Sequence, residues 1–496
     1  MKKVWAFDIG ASNGRLMLAS FDGEQMHLDE LYRFSNKPVH LTDHYYWDVL
    51  HIFNGMKKGM EVSLQKGHNK VESMGVDTWG VDFGLLSKTG ELLANPYCYR
   101  DPQNNDGMEK ALKHISKEEL FVTTGIETAP INSLFQLLAI QERNPELLAN
   151  ADTLLLTPNL LGYLFSGVKN NEYTISSTTQ LIDLKTKNWS NEILSMFNIP
   201  ADLFAPVVPS SSIAGETLPE INKELGMSPV KVVNVAGHDT ASALAALPIG
   251  DGFSVFMSCG TWGLIGVEVD QPVATVQAMH AGFTNEGTLE GNYRLLKNSM
   301  GMWLLQECRT IWEREQISTD YEEENQLFQQ TEAFGAFIDP DDNRFFNPDN
   351  MVEAIKVYCR ETNQQIPQTR GEIIRCILES LAMNYRLVIE QLEQLLDRKL
   401  KRIHMGGGAI QNHHFCQLIA NVTGRELVAG PAEASSVGNA ISQFISLDII
   451  DSLREARQIV KNSFSIPSYY PEENDRWDEA YQQYKTIISY KLEEEK

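Results

Sequence analysis

Short apolar runs punctuated by glycine open the chain. Residues 4–9 form one run, a small-residue turn follows, and 15–21 form another before Asp22-Gly23 turns the chain again. Apolar runs bounded by such turn residues predict strands. The pattern recurs at 71–77 and 81–86 with Trp79-Gly80 between them, so a second hairpin is expected there, glycine supplying the positive φ. Between the two, 48–66 shifts to helical spacing, and 117–167 predicts helices with an apolar stripe around Leu134, Leu137 and Leu138.

A second block begins near residue 231. Residues 231–235 predict a strand, Gly237-His238-Asp239 end it, and 240–247 predict the helix that follows. Pro248, Gly250 and Gly252 then mark a hinge. The opening theme returns after it, as a strand at 253–258, a Cys259-Gly260-Thr261 turn and a strand at 264–269. This weak repeat predicts an α/β chain of two facing lobes, 1–248 and 249–496, although hairpins are common enough to arise without one. The second half is more helical, with amphipathic stretches at 301–314 and 372–396. The basic run 398–402 is expected to be a solvated helix end, where cations complement the dipole. A short strand at 403–405, Gly406-Gly407-Gly408 and a helix from about His413 follow.

Composition narrows the classes of function. The 496 residues are 43% hydrophobic and 22% charged, as in globular proteins and unlike disordered or collagenous chains. With 42 Lys and Arg against 66 Asp and Glu, the net charge of −24 argues against a non-specific nucleic-acid or anionic-membrane binder. It does not argue against ATP, whose phosphates backbone N–H groups and a metal can hold. Lys2 and Lys3 precede only four apolar residues before Asp8, too few for a secretory signal, and polar residues interrupt every uncharged window. A soluble cytoplasmic protein is the expectation. Six cysteines are no disulfide framework; Cys359 and Cys376, flanking the turn around Pro367, could meet in space, though cytosol favours thiols.

Four segments carry candidate chemistry. In 8–15, Asp8 ends an apolar strand and small residues fill the turn, so backbone amides can close on an anion while the carboxylate holds Mg²⁺ directly or through water; a plain hairpin reads equally well. Ser258-Cys259-Gly260-Thr261 is a second candidate phosphate loop. Gly406–Gly408 lets the backbone approach a ligand closely, or simply fits a crowded turn. Asp239, at a strand-to-helix junction, can accept a proton from a substrate hydroxyl or cap the helix. Asp77, Asp82, Arg100 and Asp101 lie around turns near Trp79, a polar and aromatic mix that suits a sugar and also suits ordinary surface turns. No Walker A, CxxC or HExxH pattern occurs, and His413-His414 point apart on a helix, which argues against zinc.

In this order along residues 4–450, these segments resemble the FGGY carbohydrate kinases, within the two-lobed actin-like ATPase (ribonuclease H-like) fold with a deep interlobe cleft. The stretches 75–83, 99–101, 172–181, 284–287, 295–306 and 430–439 strengthen the resemblance; Asn13 stands where serine is more usual. The resemblance implies phosphoryl transfer from ATP to the 1-hydroxyl of a ketose, L-rhamnulose first, with L-fuculose or L-xylulose as alternatives. It makes Asp239 the general base, Ala11, Ser12, Asn13, Gly14 and Arg15 the first ATP-phosphate loop, and Asp8 a holder of Mg²⁺. It makes Thr261, Asn298, Gln306 and Gly407 nucleotide contacts, and Gly80, His238 and Thr240 sugar contacts, with Asp82 and Arg100 as further sugar candidates. The implied partners are the ketose and ATP, without nucleic acid or membrane, in a monomer or small homo-oligomer. An actin-like, nucleotide-switched binding protein is the contrasting class, against which Trp79-Gly80 and Asp239 count.

Overall fold

Alternation at the N-terminus produces a hairpin, β1 (Lys2–Ile9) with β2 (Asn13–Phe21), in which Asp8 faces Arg15 across the ladder. β3 (Met26–Ser35) continues it antiparallel. On the other side, β1 pairs in parallel with β4 (Ser73–Thr78), placing Asp77 beside Asp8. β5 (Ser212–Glu216) and β6 (Lys231–Asn234) complete a six-stranded sheet in the order β5-β6-β4-β1-β2-β3. The computed structural model describes residues 1–250, 252–472 and 476–494.

The helix Val49–Gln65 starts where the Asp48 side chain accepts from the His51 N–H, and it buries Ile52, Met56 and Met60 along one row. Those side chains join Trp5, Phe7, Leu16 and Leu18 in one core. Burial of each contributes about 1.5–3 kcal/mol. A second core gathers Leu134, Leu137 and Leu138 of the helix Ser133–Arg143.

The hairpin expected at Trp79-Gly80 does not form. Val81 takes a left-handed conformation (φ 67°), and the strand Phe83–Leu86 turns away to pair antiparallel with Thr153–Leu156. The partner is a strand inside the 117–167 stretch, which is otherwise helical as expected. Four consecutive apolar residues there fit either state, and only the distant partner selects the strand.

In the second sheet, β7 (Ser254–Cys259) and β8 (Trp262–Val269) form the hairpin predicted after the hinge. β9 (Tyr293–Met300) flanks β8, while β10 (Arg402–Gly406), β11 (Glu426–Ala429) and β12 (Ser468–Tyr469) follow β7 in that order. The long helix Arg370–Leu396 opens with a capping box between Thr369 and Glu372 and ends at Asp397 in the left-handed region. The basic run after it is not wholly a helix end. Lys399 bonds Glu393 at 2.7 Å, but Arg402 begins β10 and bonds Glu426 at 2.7 Å. Cys359 and Cys376 do meet, as buried free thiols hydrogen-bonded to each other.

By packing, the chain forms two units. The first comprises 1–250, 268–295 and 433–464, and the second the described parts of 251–267, 296–432 and 465–496. The break at 250 falls in the Pro248–Gly252 stretch. Residues 268–295 and 433–464, which a single division at 248/249 assigns to the second half, pack with the first unit. Among the described residues no helix is long and apolar enough to cross a membrane.

Candidate active site

In the first unit, the turn between β1 and β2 is closed by the Gly10 N–H donating to the Asn13 carbonyl at 2.9 Å. Asn36 braces it, its side chain donating to the Gly10 carbonyl at 2.8 Å and its N–H to the Ser12 carbonyl at 3.1 Å. Ser12 is exposed, Ala11 and Asn13 partly so, and Gly14 is buried. Arg15 is paired on both sides, donating to Asp8 at 2.5 Å and to Glu433 at 2.6 Å.

The helix Ala434–Ser446 stitches this hairpin to β4. Ser436 donates to Asp8 at 3.1 Å, Asn439 to Asp77 at 2.6 Å, and Gln443 to the Trp5 carbonyl at 2.9 Å. It lies so close to the helix Asp239–Ala246 that a Cβ on Gly438 would sit 1.7 Å from the Ser242 carbonyl oxygen. Only glycine fits there. Burial and the Asp8 charge push the Asp77 carboxyl well above the usual range, with Asn439 offsetting part of the rise and Asp239 adding to it. Asp77 Oδ1 has no hydrogen-bond partner among the described residues.

Asp239 is the first residue of its helix, following the cap position that His238 occupies. It therefore does not cap the helix in the usual geometry. Its carboxylate lies 3.5 Å from His238 Nε2, and 29% of the side chain is exposed. Burial raises its pKa, His238 offsets part of the rise and Asp8 adds to it. The backbone leading into it is held from two sides. The Gly237 carbonyl accepts from the Thr78 N–H at 2.8 Å, and the buried Glu172 carboxylate accepts from the Gly237 N–H at 3.0 Å. Thr174 accepts from the His238 N–H at 3.2 Å.

Gly80 faces this point. A Cβ there would lie 3.4 Å from both His238 Nε2 and Thr178 Cβ, at the close edge of ordinary contact. Thr178 accepts from the Val81 N–H at 3.1 Å, which fixes the turn. Asp82, expected at the sugar, is instead fully buried. It accepts from Trp47 at 2.5 Å, Trp79 at 2.8 Å, Gln136 at 2.8 Å and the Tyr99 N–H at 3.2 Å. Its role is to hold the two indoles, whose centroids are 4.1 Å apart, so it has no face left for a ligand. Arg100 lies exposed against the Tyr99 ring, and Asp101 is buried, accepting from His44 and the Tyr45 N–H.

In the second unit the β7–β8 turn is cradled by the start of the helix Trp303–Arg314. Met302 and Trp303 N–H groups donate to the Gly260 and Thr261 carbonyls, and Thr261 donates to Gln306 at 3.3 Å. Gly407, at φ 89°, packs on the same turn, where a Cβ would sit 2.6 Å from the Cys259 carbonyl oxygen. Thr261, Gln306 and Gly407 are thus brought together, and Asn298 lies exposed on β9.

Sequence reasoning missed a buried cluster beside Asp239. Arg294, with no exposed side-chain surface, pairs with Glu286 and also donates to His238 Nδ1 and to Thr240. Burial pulls Glu286 upward, but the Arg294 guanidinium outweighs it and holds the carboxylate down to about 2. Glu286 lay in the 284–287 stretch, yet nothing local marks Arg294, one charge at the head of an apolar run.

The first unit thus holds a carboxylate at a helix start flanked by His and Thr, and each unit holds a glycine-bearing hairpin turn. The chain belongs to the FGGY family of carbohydrate kinases. The family's N-terminal domain matches residues 4–246 and its C-terminal domain 255–447. A rhamnulokinase from Bacteroides thetaiotaomicron is 39% identical over 487 residues, covering 98% of this chain and 99% of its own. One from Bacillus subtilis is 35% identical over 474 residues, 95% of this chain and 96% of its own. Among solved structures, xylulose kinase from Lactobacillus acidophilus matches with a TM-score of 0.81, covering 99% of this chain and 97% of that one at 16% identity. The chain is a sugar kinase, and its fold is shared well beyond its close relatives.

Proposed function

We propose that this kinase transfers the γ-phosphoryl group of ATP to the 1-hydroxyl of L-rhamnulose in the cytoplasm, giving L-rhamnulose 1-phosphate and ADP. Similarity to rhamnulokinases along nearly the whole chain is the observation that carries the choice of sugar. The chemistry rests on Asp239. Its carboxylate takes the proton of the 1-hydroxyl as that oxygen bonds to the γ-phosphorus and the bond to the β-phosphate oxygen breaks. A carboxylate lifted by burial is a stronger base than a free one, which suits the task.

Gly80 lies close to His238 and Thr178, where its lack of a side chain leaves the backbone open to the ketose, and His238 and Thr240, on either side of the base in the chain, offer polar groups. Ala11–Gly14 supply the first phosphate turn, while Thr261, Gln306, Asn298 and Gly407 serve the nucleotide. Arg15 acts by fixing Asp8 rather than as a free phosphate ligand. Among the described residues no three ligand-type side chains are set to enclose a metal. Asp8 beside the unpartnered Asp77 oxygen nonetheless fits a Mg²⁺ ion that takes its remaining ligands from phosphate and water. Bound there, Mg²⁺ would offset phosphate charge.

The test is coupled ADP release with Mg-ATP across L-rhamnulose, L-fuculose, L-xylulose and D-xylulose, with glycerol as a non-ketose control. A kcat/KM highest for L-rhamnulose by about ten-fold or more supports the assignment, since one hydroxyl's geometry commonly carries that much discrimination. A different winner overturns the sugar and keeps the kinase.

A further inference from the structure

The Glu286–Arg294 pair is used by no step above, yet it touches both neighbours of the base. Arg294 Nη2 lies 2.5 Å from His238 Nδ1, and Nη1 donates to the Thr240 hydroxyl. Glu286 Oε2 lies 3.1 Å from the same Nδ1. Nδ1 meets opposite demands, since a guanidinium only donates and the Glu286 carboxylate only accepts; the guanidinium nitrogen is the nearer, 2.5 against 3.1 Å, so the ring nitrogen accepts, and a neutral imidazole then carries its proton on the other nitrogen. That other nitrogen, Nε2, is the one 3.5 Å from Asp239 Oδ1. The reverse tautomer would set two N–H donors against each other at Nδ1.

We propose that Glu286 and Arg294 are positioning residues for the base: Arg294, anchored by Glu286, fixes His238 as the Nε2–H tautomer, with the protonated nitrogen on the side nearest Asp239, and holds Thr240 in place beside it. The inference rests on Asp239 acting as the base. The charged groups facing Asp239 are His238, Asp8, Asp77 and Arg294; those facing Arg294 are Glu286, Asp239 and Glu172. In this arrangement His238 and Arg294 favour the ionised carboxylate, against Asp8 and Asp77.

Nitrogen-15 spectra of histidine-labelled wild-type protein, with His238→Asn to assign the ring, read the tautomer directly and independently of any sugar. A protonated Nε2 is expected, and a protonated Nδ1 overturns the proposal. Removing Arg294 alone leaves Glu286 free to accept from Nδ1–H. Arg294→Gln is therefore expected to invert the tautomer and to move the acid limb of kcat/KM for the sugar upward by about half to one pH unit. Because one half of a buried pair is a risky deletion, Glu286→Gln/Arg294→Gln removes both charges together. In both variants kcat should fall roughly 10–100-fold, the scale of losing an orienting partner, with KM for ATP unchanged. A folded double variant with wild-type kcat overturns the positioning role. A wild-type enzyme that phosphorylates no sugar but shows the Nε2–H ring would instead refute the functional reading and leave the tautomer assignment standing.

Discussion

Gly438→Ala is the substitution whose consequence the structure defines most sharply. The added methyl carbon would stand 1.7 Å from the Ser242 carbonyl oxygen, 2.5 Å from its carbon and 3.0 Å from Ser242 Cα. All three are backbone atoms, so no rotamer change relieves the clash. Bringing the closest contact even to 3.0 Å needs the helices Asp239–Ala246 and Ala434–Ser446 to part by at least 1.3 Å. Moved that far, Asn439 and Ser436 lose their bonds to Asp77 and Asp8, now 2.6 and 3.1 Å. Overpacking costs about 1–3 kcal/mol. A buried carboxyl left without its donor adds about 1–3 kcal/mol. Alanine's better helix propensity returns about 0.5–1 kcal/mol. The net loss of roughly 1–5 kcal/mol corresponds to a Tm lower by about 2–15 °C in a unit of this size. Differential scanning fluorimetry reads the shift, and ADP release reads the accompanying fall in kcat. Gly335→Ala is the control, since a Cβ there meets nothing within 4 Å. If Gly438→Ala melts with wild type while Gly335→Ala does too, the close helix contact is not what holds Asp8 and Asp77.

Gly407→Ala combines a left-handed φ of 89° with a clash against Cys259, so it should raise KM for ATP more than KM for the sugar, measured by varying each in turn. Asp82→Ala strips the acceptor from two buried indole N–H groups, costing about 1–3 kcal/mol, and red-shifted tryptophan fluorescence with a lower Tm is the expected signature. Glu286, held down to about 2 against an ordinary 4.5, contributes stability that is complete above about pH 4.5 and is lost as pH falls toward 2. Over that window Glu286→Gln/Arg294→Gln should lose stability less steeply than wild type in acid-denaturation titrations.

What the chain reveals locally it reveals well. The β1–β2 and β7–β8 hairpins, the helix Val49–Gln65 and the start of the helix at Asp239 all follow from apolar spacing and glycine placement, which act within a few residues. The errors are non-local. Residues 153–156 become a strand only because Phe83–Leu86 arrive beside them, and Asp82 looks like a surface turn until Trp47 and Gln136 close over it. Arg294 is the extreme case, since its three partners come from residues 238, 240 and 286. The joint order of the phosphate-loop and GHDT segments carried the family, because several weak motifs in one order constrain more than any single one.

The central claim is that Asp239 takes the proton of a ketose hydroxyl. Asp239→Asn keeps the size of the side chain and an oxygen to accept from the Thr240 N–H, which bonds the Asp239 carboxylate, but removes the basic oxygen. With saturating Mg-ATP and L-rhamnulose, kcat should fall by at least about 10²-fold, the lower end for loss of a general base, while the variant still binds both substrates. Turnover near that of wild type would contradict the account.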